Sequence, residues 1–289
     1  MNFYTRSEKL MSVANGILLI LIALTMLFPF LYIFSVSFSH YTDFVTKDII
    51  LWPSRWDLGA YEFILSSKTF MKSILFSIYL TILGTAVNLA VSTTMAYALI
   101  HRFIGQKLLL FVVIFCLMFS AGLIPTYLVV KSLNLIDSIW ALILPVAVSP
   151  FNLIVIRQFF LNIPRELSEA AIVDGANQMQ IFTKIFLPLS KPVLATFTLF
   201  YAVGHWNSYF NAIIYMNDPE KWPVQVVLRL IVIVNRVDTA GNMAMMEHPP
   251  PPETVQMAAI LLATVPILIV YPFLQKHFAK GVMLGSVKG

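Results

Sequence analysis

The sequence predicts an all-α membrane protein built on six transmembrane helices, and three observations lead to that class. Of the 289 residues, 59% are hydrophobic and 11% charged, against about 45–50% and about 25% in an ordinary soluble domain. The charge is also segregated: residues 10–39, 73–100, 108–130, 138–156, 192–217 and 254–275 contain no Asp, Glu, Lys or Arg. These windows run from 19 to 30 residues, and a helix needs about 17–25 to cross a hydrocarbon layer about 30 Å thick. Finally, the windows are continuously apolar, whereas barrel strands of about 9–11 residues alternate polar with apolar. One charge at the centre of a span costs about 2.5–3.5 kcal/mol, and one Leu, Ile, Phe or Val returns only about 0.3–0.6. Six charge-free windows are therefore a physical pattern rather than a by-product of composition.

Taken in order, the first window is too long for the apolar core of a cleaved secretory leader, about 7–15 residues, and reads as a retained signal anchor. The second, third and fourth windows are joined by seven-residue links, 101–107 and 131–137, which force neighbouring helices to run antiparallel. Longer connections lie at 40–72, 157–191 and 218–253. Pro29, Pro125, Pro145, Pro150 and Pro266 are candidate kinks. The last long connection ends in Pro249, Pro250, Pro251 and Pro252, a run expected to be a stiff polyproline II spacer. No internal repeat relates the first three windows to the last three. Residues 1–289 read as one membrane domain, with 157–191 as a structured loop and 276–289 as a tail.

With the N-terminus inside, 11 of the 19 basic residues and 4 of the 14 acidic residues fall on the inner side. That bias places both termini in the cytoplasm of a cell membrane. It also accounts for the formal charge of +5 without a nucleic-acid partner. Cys116 is the only cysteine, which excludes an intrachain disulfide or a thiolate metal cluster.

The inner loop 162–192 reads as two short helices. Asn162 is expected near an N-cap, Pro164 in the first turn, and Glu166 and Glu169 where the helix dipole favours acids. Gly175 supplies a stop or tight turn, at which a Cβ is expected to obstruct the chain. The second helix presents Ile181, Phe182, Ile185, Phe186 and Leu189 on one face until Pro188 and Pro192 turn the chain back.

Glu169-Ala170-Ala171, three residues, Gly175, nine residues and Ile185-Phe186-Leu187-Pro188 resemble the EAA loop, E-A-A-x3-G-x9-I-x-L-P, of the membrane subunits of bacterial ATP-binding-cassette (ABC) importers. The resemblance implies the type I permease architecture and a coupling helix seated in a cleft of a cytoplasmic ATPase. Glu169, Ala170, Ala171, Asp174, Gly175, Ile185, Leu187 and Pro188 are the coupling candidates. Gly281 to Gly289 is similar to the G-x-T-x-G-A-V-K-G tail of the maltose-type second permease, with Met283 in place of Thr and Ser286 in place of Ala. Gly285, Val287, Lys288 and Gly289 are thereby implied as ATPase contacts.

Within the fifth window, His205, Trp206, Asn207, Tyr209 and Asn211 gather hydrogen-bonding and aromatic groups that need protein or water partners in lipid. Rings beside amides suit a sugar, which stacks its C–H face and exchanges hydrogen bonds through its hydroxyls. The Trp-Asn pair also resembles a sequence common in carbohydrate permeases, and helix packing is the competing role for this cluster. His205, with no carboxylate in any window, reads as a packed histidine rather than a proton relay.

The resemblance implies a non-catalytic subunit of an oligosaccharide importer. No phosphate-binding loop of the G-x-x-x-x-G-K-[ST] type is present, so no cofactor is expected on this chain, and ATP and Mg belong to a partner ATPase dimer. The other implied partners are a second homologous permease in a heterodimer, an extracytoplasmic solute-binding protein and the lipid bilayer. A permease for a non-sugar solute is the alternative. An ion-driven carrier would need intramembrane charges that are absent, and an intramembrane hydrolase would need H-E-x-x-H or G-x-S-x-G, neither of which occurs.

Overall fold

The structure, a computed structural model, describes residues 6–47, 49–234 and 250–286. Its helices are α1 (Arg6–Ser37), α2 (Tyr41–Thr46), α3 (Gly59–Ser66), α4 (Lys68–Ile100), α5 (Gln106–Met118), α6 (Leu123–Ser132), α7 (Ile139–Ile143), α8 (Pro150–Leu161), α9 (Arg165–Val173), α10 (Gln178–Ile181), α11 (Leu187–Leu189), α12 (Lys191–Trp206), α13 (Phe210–Tyr215), α14 (Val224–Val234) and α15 (Pro252–Ser286). Among the described residues the only extended pairing is an isolated bridge between Ser39 and Trp56. The protein is all-α.

The six charge-free windows do not become six unbroken helices. Three spans are continuous: Leu10–Ser37, Lys68–Ile100 and Pro252–Val270. The fourth window is a bent pair, Ile139–Val146 and Pro150–Leu161, at 55°. Its bend follows from Pro145 in a short 3₁₀ turn and from Pro150 at the first position of α8, where Ser149 caps the new helix. The third window is split into α5 and α6, and Gly122 at φ +81° supplies the left-handed conformation at the break. The fifth window stops at Trp206, resumes at Phe210, and α12 is bent by 82° from the segment Gln178–Leu189. Of the proline kinks expected, Pro29 and Pro266 sit inside helices that remain continuous. Pro252 is the first residue of α15 rather than part of a polyproline run, Pro250 and Pro251 precede it without regular structure, and Pro249 lies outside the described residues.

The chain forms two compact units, Met1–Phe70 with Leu228–Thr264 and Met71–Val227 with Val265–Gly289. In the first, Val36 and Ser35 at the end of α1 are buried, as are Phe63 and Ile64 of α3. The second unit holds two apolar cores strung along α4. Leu80 packs with Val130, Leu142, Ile143 and Tyr215 at one end. Ala96 and Leu99 pack with Leu153, Ile156, Phe160, Phe182, Phe186 and Phe197 at the other. Side-chain links agree with this layout: Asp137 accepts from the Asn217 and Asp218 amides at 2.6 and 2.9 Å, and Arg157 Nε donates to the Leu99 carbonyl at 3.1 Å. Links 131–137 and 217–221 therefore meet at one end, and α4's terminus meets the 157–191 loop at the other.

Candidate functional site

The 157–191 loop is built as a protruding knuckle on an aromatic root. Helix α9 has no buried residue, and Leu167, Ile172 and Val173 are exposed, Val173 to 87%. It stops at Gly175, whose φ of +82° is a conformation an L side chain adopts at a cost of about 1–2 kcal/mol. An added Cβ there would meet no atom within 4 Å, so the glycine is required by backbone conformation and not by crowding. Asn177 and Gln180 then form a reciprocal capping box that starts α10. Asn162, expected near the N-cap, instead ends α8, and Pro164, expected in the first turn, occupies the N-cap position of α9 without a side-chain cap.

After α10 the chain widens into a π segment, Phe182–Phe186. Pro188 lacks the N–H that would bond the carbonyl of Lys184, and a widened turn accommodates that loss. Phe182 and Phe186 are buried, with ring centroids each 4.9 Å from Tyr97, and Phe160 packs edge-on to Phe186 at 5.4 Å. Tyr97 also donates to Gln178 Oε1 at 2.7 Å. The root thus grips α4 and α8, and α9 rests on it through half-buried Ala171 while Leu167, Ile172 and Val173 stay exposed.

The second site is a cavity of about 340 Å³, at the level of α4 between the two cores. Asn88, Ser149, Asn152, His205, Asn207 and Asn211 supply amides, a hydroxyl and an imidazole, and Phe200, Tyr201, Tyr209 and Phe210 supply rings. Asn88 is buried, donates to the Val146 carbonyl at 3.1 Å, and presents Oδ1 to His205 Nε2 at 3.4 Å. Ser92 Oγ and Tyr201 Oη lie 2.8 Å apart. None of the lining residues is Asp, Glu, Lys or Arg.

Residues 89–284 match the family described as the binding-protein-dependent transport system inner membrane component. The chain belongs to that family. This permease is 52% identical over 94% of its length, and 96% of the relative's, to the polygalacturonan/rhamnogalacturonan transport system permease protein YtcP of Bacillus subtilis (strain 168). It is 48% identical to the protein LplC of the same organism, over 99% of this chain and 97% of the other. A solved chain of a bacterial ABC transporter involved in the import of the acidic polysaccharide alginate superposes with a TM-score of 0.90 at 36% identity, covering 96% of the permease and 100% of that chain. The permease is a multi-pass membrane protein of the type I ABC importer fold.

The structure separates the expected coupling residues into two groups. Glu169, Ala170, Asp174 and Gly175 are exposed on the knuckle, and Asp174 ends α9. Ala171, Ile185 and Leu187 instead pack on the root, and Pro188 is exposed on α11. In the tail, Gly285 lies in α15, whereas Val287, Lys288 and Gly289 fall outside the described residues.

Of the expected pathway residues, His205, Asn207, Tyr209 and Asn211 line the cavity. Trp206 does not: it is buried and faces a separate apolar cavity with Ile78, Ile82, Leu199, Pro266 and Val270. Successive helical residues differ by about 100° in direction, and here His205 and Trp206 turn to different cavities. Sequence reasoning misses Asn88, Ser149 and Asn152 because the hydroxyl and amide residues scattered through windows 73–100 and 138–156 do not by themselves mark which of them face a cavity. Polarity inside a span was the available signal.

Proposed function

We propose that this permease forms one half of the membrane channel of an ATP-driven importer for oligosaccharides and itself performs no chemistry. The observation that carries the proposal is the pairing, within one unit, of an uncharged amide-and-ring cavity on the spanning helices with an exposed knuckle on an aromatic root. Its relatives in polysaccharide import support the cargo class.

In this reading the knuckle enters a cleft of a cytoplasmic ATPase dimer that holds ATP and Mg²⁺. Val173, Ile172, Glu169 and Ala170 make the contact, with Gly175 shaping the turn and Gly285, Val287, Lys288 and Gly289 adding to it from the tail. Ile185 and Leu187 work from behind, anchoring the lever. Closing of the ATPase displaces the knuckle, and Phe182 and Phe186 pass the displacement to α4 and α8, so the bundle alternates between inward-facing and outward-facing states. Both termini lie in the cytoplasm, a homologous second permease completes the pore, and a solute-binding protein delivers cargo from outside.

Sugar hydroxyls meet the amides of Asn88, Asn152, Asn207 and Asn211, and ring faces meet Tyr209 and Phe210. Uptake of a panel of labelled oligosaccharides, amino acids and phosphate by cells carrying the full transporter tests this. Oligosaccharide uptake that falls when Asn211→Leu is introduced supports the proposal, and uptake confined to a non-sugar solute refutes it.

A further inference from the structure

In the first unit, the segment that follows α1 folds back onto the end of that helix and turns its apolar side chains outward. Ser35 Oγ donates to the Leu51 carbonyl at 2.6 Å, and the bridge between Ser39 and Trp56 fixes the next strand-like step. A polar frame holds the segment from within: Ser54 N donates to Asp43 Oδ2 at 2.9 Å, and Lys47 Nζ donates to the Trp52 carbonyl at 3.3 Å and to Ser54 Oγ at 2.6 Å. On the other side Trp52 and Trp56 meet edge-on at 5.7 Å, and Trp56 continues onto Phe38 at 5.4 Å. Ile49, Leu51, Trp52, Trp56 and Leu58 are each exposed by between 56% and 64%.

The level of this patch in the membrane follows from α1. Its apolar run Leu10–Ser37 has 28 residues, which at 1.5 Å per residue is about 42 Å. The hydrocarbon layer is about 30 Å thick, and the bilayer with its headgroups about 40–45 Å. A tilt of about 20° shortens the run by only about 6%, so the last turn, Ser35 included, lies in the headgroup layer. The ties to Ser35 and Ser39 hold Leu51, Trp52 and Trp56 at that same level. Indole rings favour this zone, where one edge is apolar and the N–H is wet.

We propose that residues 49–58 are an interfacial anchor: Leu51, Trp52 and Trp56 insert into the headgroup and upper acyl region of the leaflet reached by the C-terminal end of α1, and the Asp43–Lys47–Ser54 frame keeps them facing the lipid. The occupant of the patch is phospholipid, continuous with the lipid that surrounds α1, whose most apolar 18 residues are unburied. The anchor fixes the depth and azimuth of a helix whose side chains from Leu10 to Leu31 are exposed or half-buried.

The full chain, reconstituted with its partner subunits in nanodiscs, provides the test. Lipids brominated high on the acyl chain should quench a tryptophan component that aqueous iodide leaves largely unquenched, and that component should be lost in Trp52→Phe/Trp56→Phe. A second variant keeps both indoles: Leu51→Cys in a Cys116→Ser background, spin-labelled, should collide more with oxygen than with a water-soluble nickel chelate. Greater access to the chelate places the patch in water, and low access to both places it under a protein partner. Either result overturns the proposal.

Discussion

His205 on α12 and Asn88 on α4 face each other at 3.4 Å between Nε2 and Oδ1, and the contact exists because residue 84 has no side chain. A Cβ built at Gly84 would lie 2.5 Å from His205 Nε2. The α4–α12 approach at the cavity is thus set by one glycine, and Asn88 extends it to the Val146 carbonyl on the bent fourth span.

Gly84→Ala should therefore push His205 off this position. Overpacking of this kind costs about 1–3 kcal/mol, and oligosaccharide uptake should fall together with thermal stability. Restoring space with Gly84→Ala/His205→Ala should recover stability relative to Gly84→Ala alone in a thermal unfolding assay. No recovery in the double variant would mean that the close contact is not what limits the site.

Trp206 and Asn211 should separate packing from recognition. Trp206→Ala empties an apolar site and should lower stability by about 3–5 kcal/mol, with the cargo preference of the remaining folded transporter unchanged. Asn211→Leu should leave the unfolding temperature near wild type and weaken cargo-stimulated ATP hydrolysis. The reverse assignment of effects would show that the cavity has been placed on the wrong side of α12.

At Gly175 the requirement is a positive φ with open space around it. Gly175→Val should cost about 1–2 kcal/mol in the turn and depress uptake strongly, whereas Gly175→Asn, which tolerates the left-handed region, should retain a large part of it. Equal loss in both variants, measured as initial uptake rate at matched membrane levels, would indicate contact with a partner rather than backbone strain.

Asp137 should make one end of the second unit acid-sensitive. Hydrogen bonds from the Asp218 and Asn217 amides, opposed by partial desolvation and aided by Lys221, hold its carboxyl below the usual carboxylate range. A folded pKa below the unfolded value means that the stabilisation is present above about pH 3.9 and is lost as pH falls through the folded pKa. Hydrogen-exchange protection of the Asn217 and Asp218 amides should decline at acid pH in wild type. Asp137→Asn, which keeps tolerance of the observed φ of +60°, should show weaker protection with no acid step. Identical profiles would remove the carboxylate from the account.

Much of this architecture is legible in the residues, and the failures have physical causes. Charge-free windows report that a segment lies in lipid but say nothing about its continuity, so the break at Gly122 is invisible in them, whereas Pro145 and Pro150 mark the bend of the fourth window and the glycine itself marks the stop at Gly175. The periodic face Ile181, Phe182, Ile185 and Phe186 was read as apolar and is indeed turned inward, except that exposed Leu189 leaves it because the helix bends at Ser190. Asn88 and the neighbouring pair Ser149 and Asn152 come from two places in the sequence, and only tertiary packing collects them around the cavity that His205 also lines. Trp206 was grouped with its neighbours by adjacency, which a helix does not respect.

The central claim is that the knuckle receives work from a separate ATPase, and Val173, which contacts almost nothing within this chain, is the residue at which to test it. Proteoliposomes containing the whole transporter, with ATP enclosed on the ATPase side, should lose oligosaccharide uptake when Val173→Asp is introduced, while the variant still inserts and its thermal unfolding is unchanged. ATP-driven uptake at the wild-type rate in Val173→Asp would contradict the account.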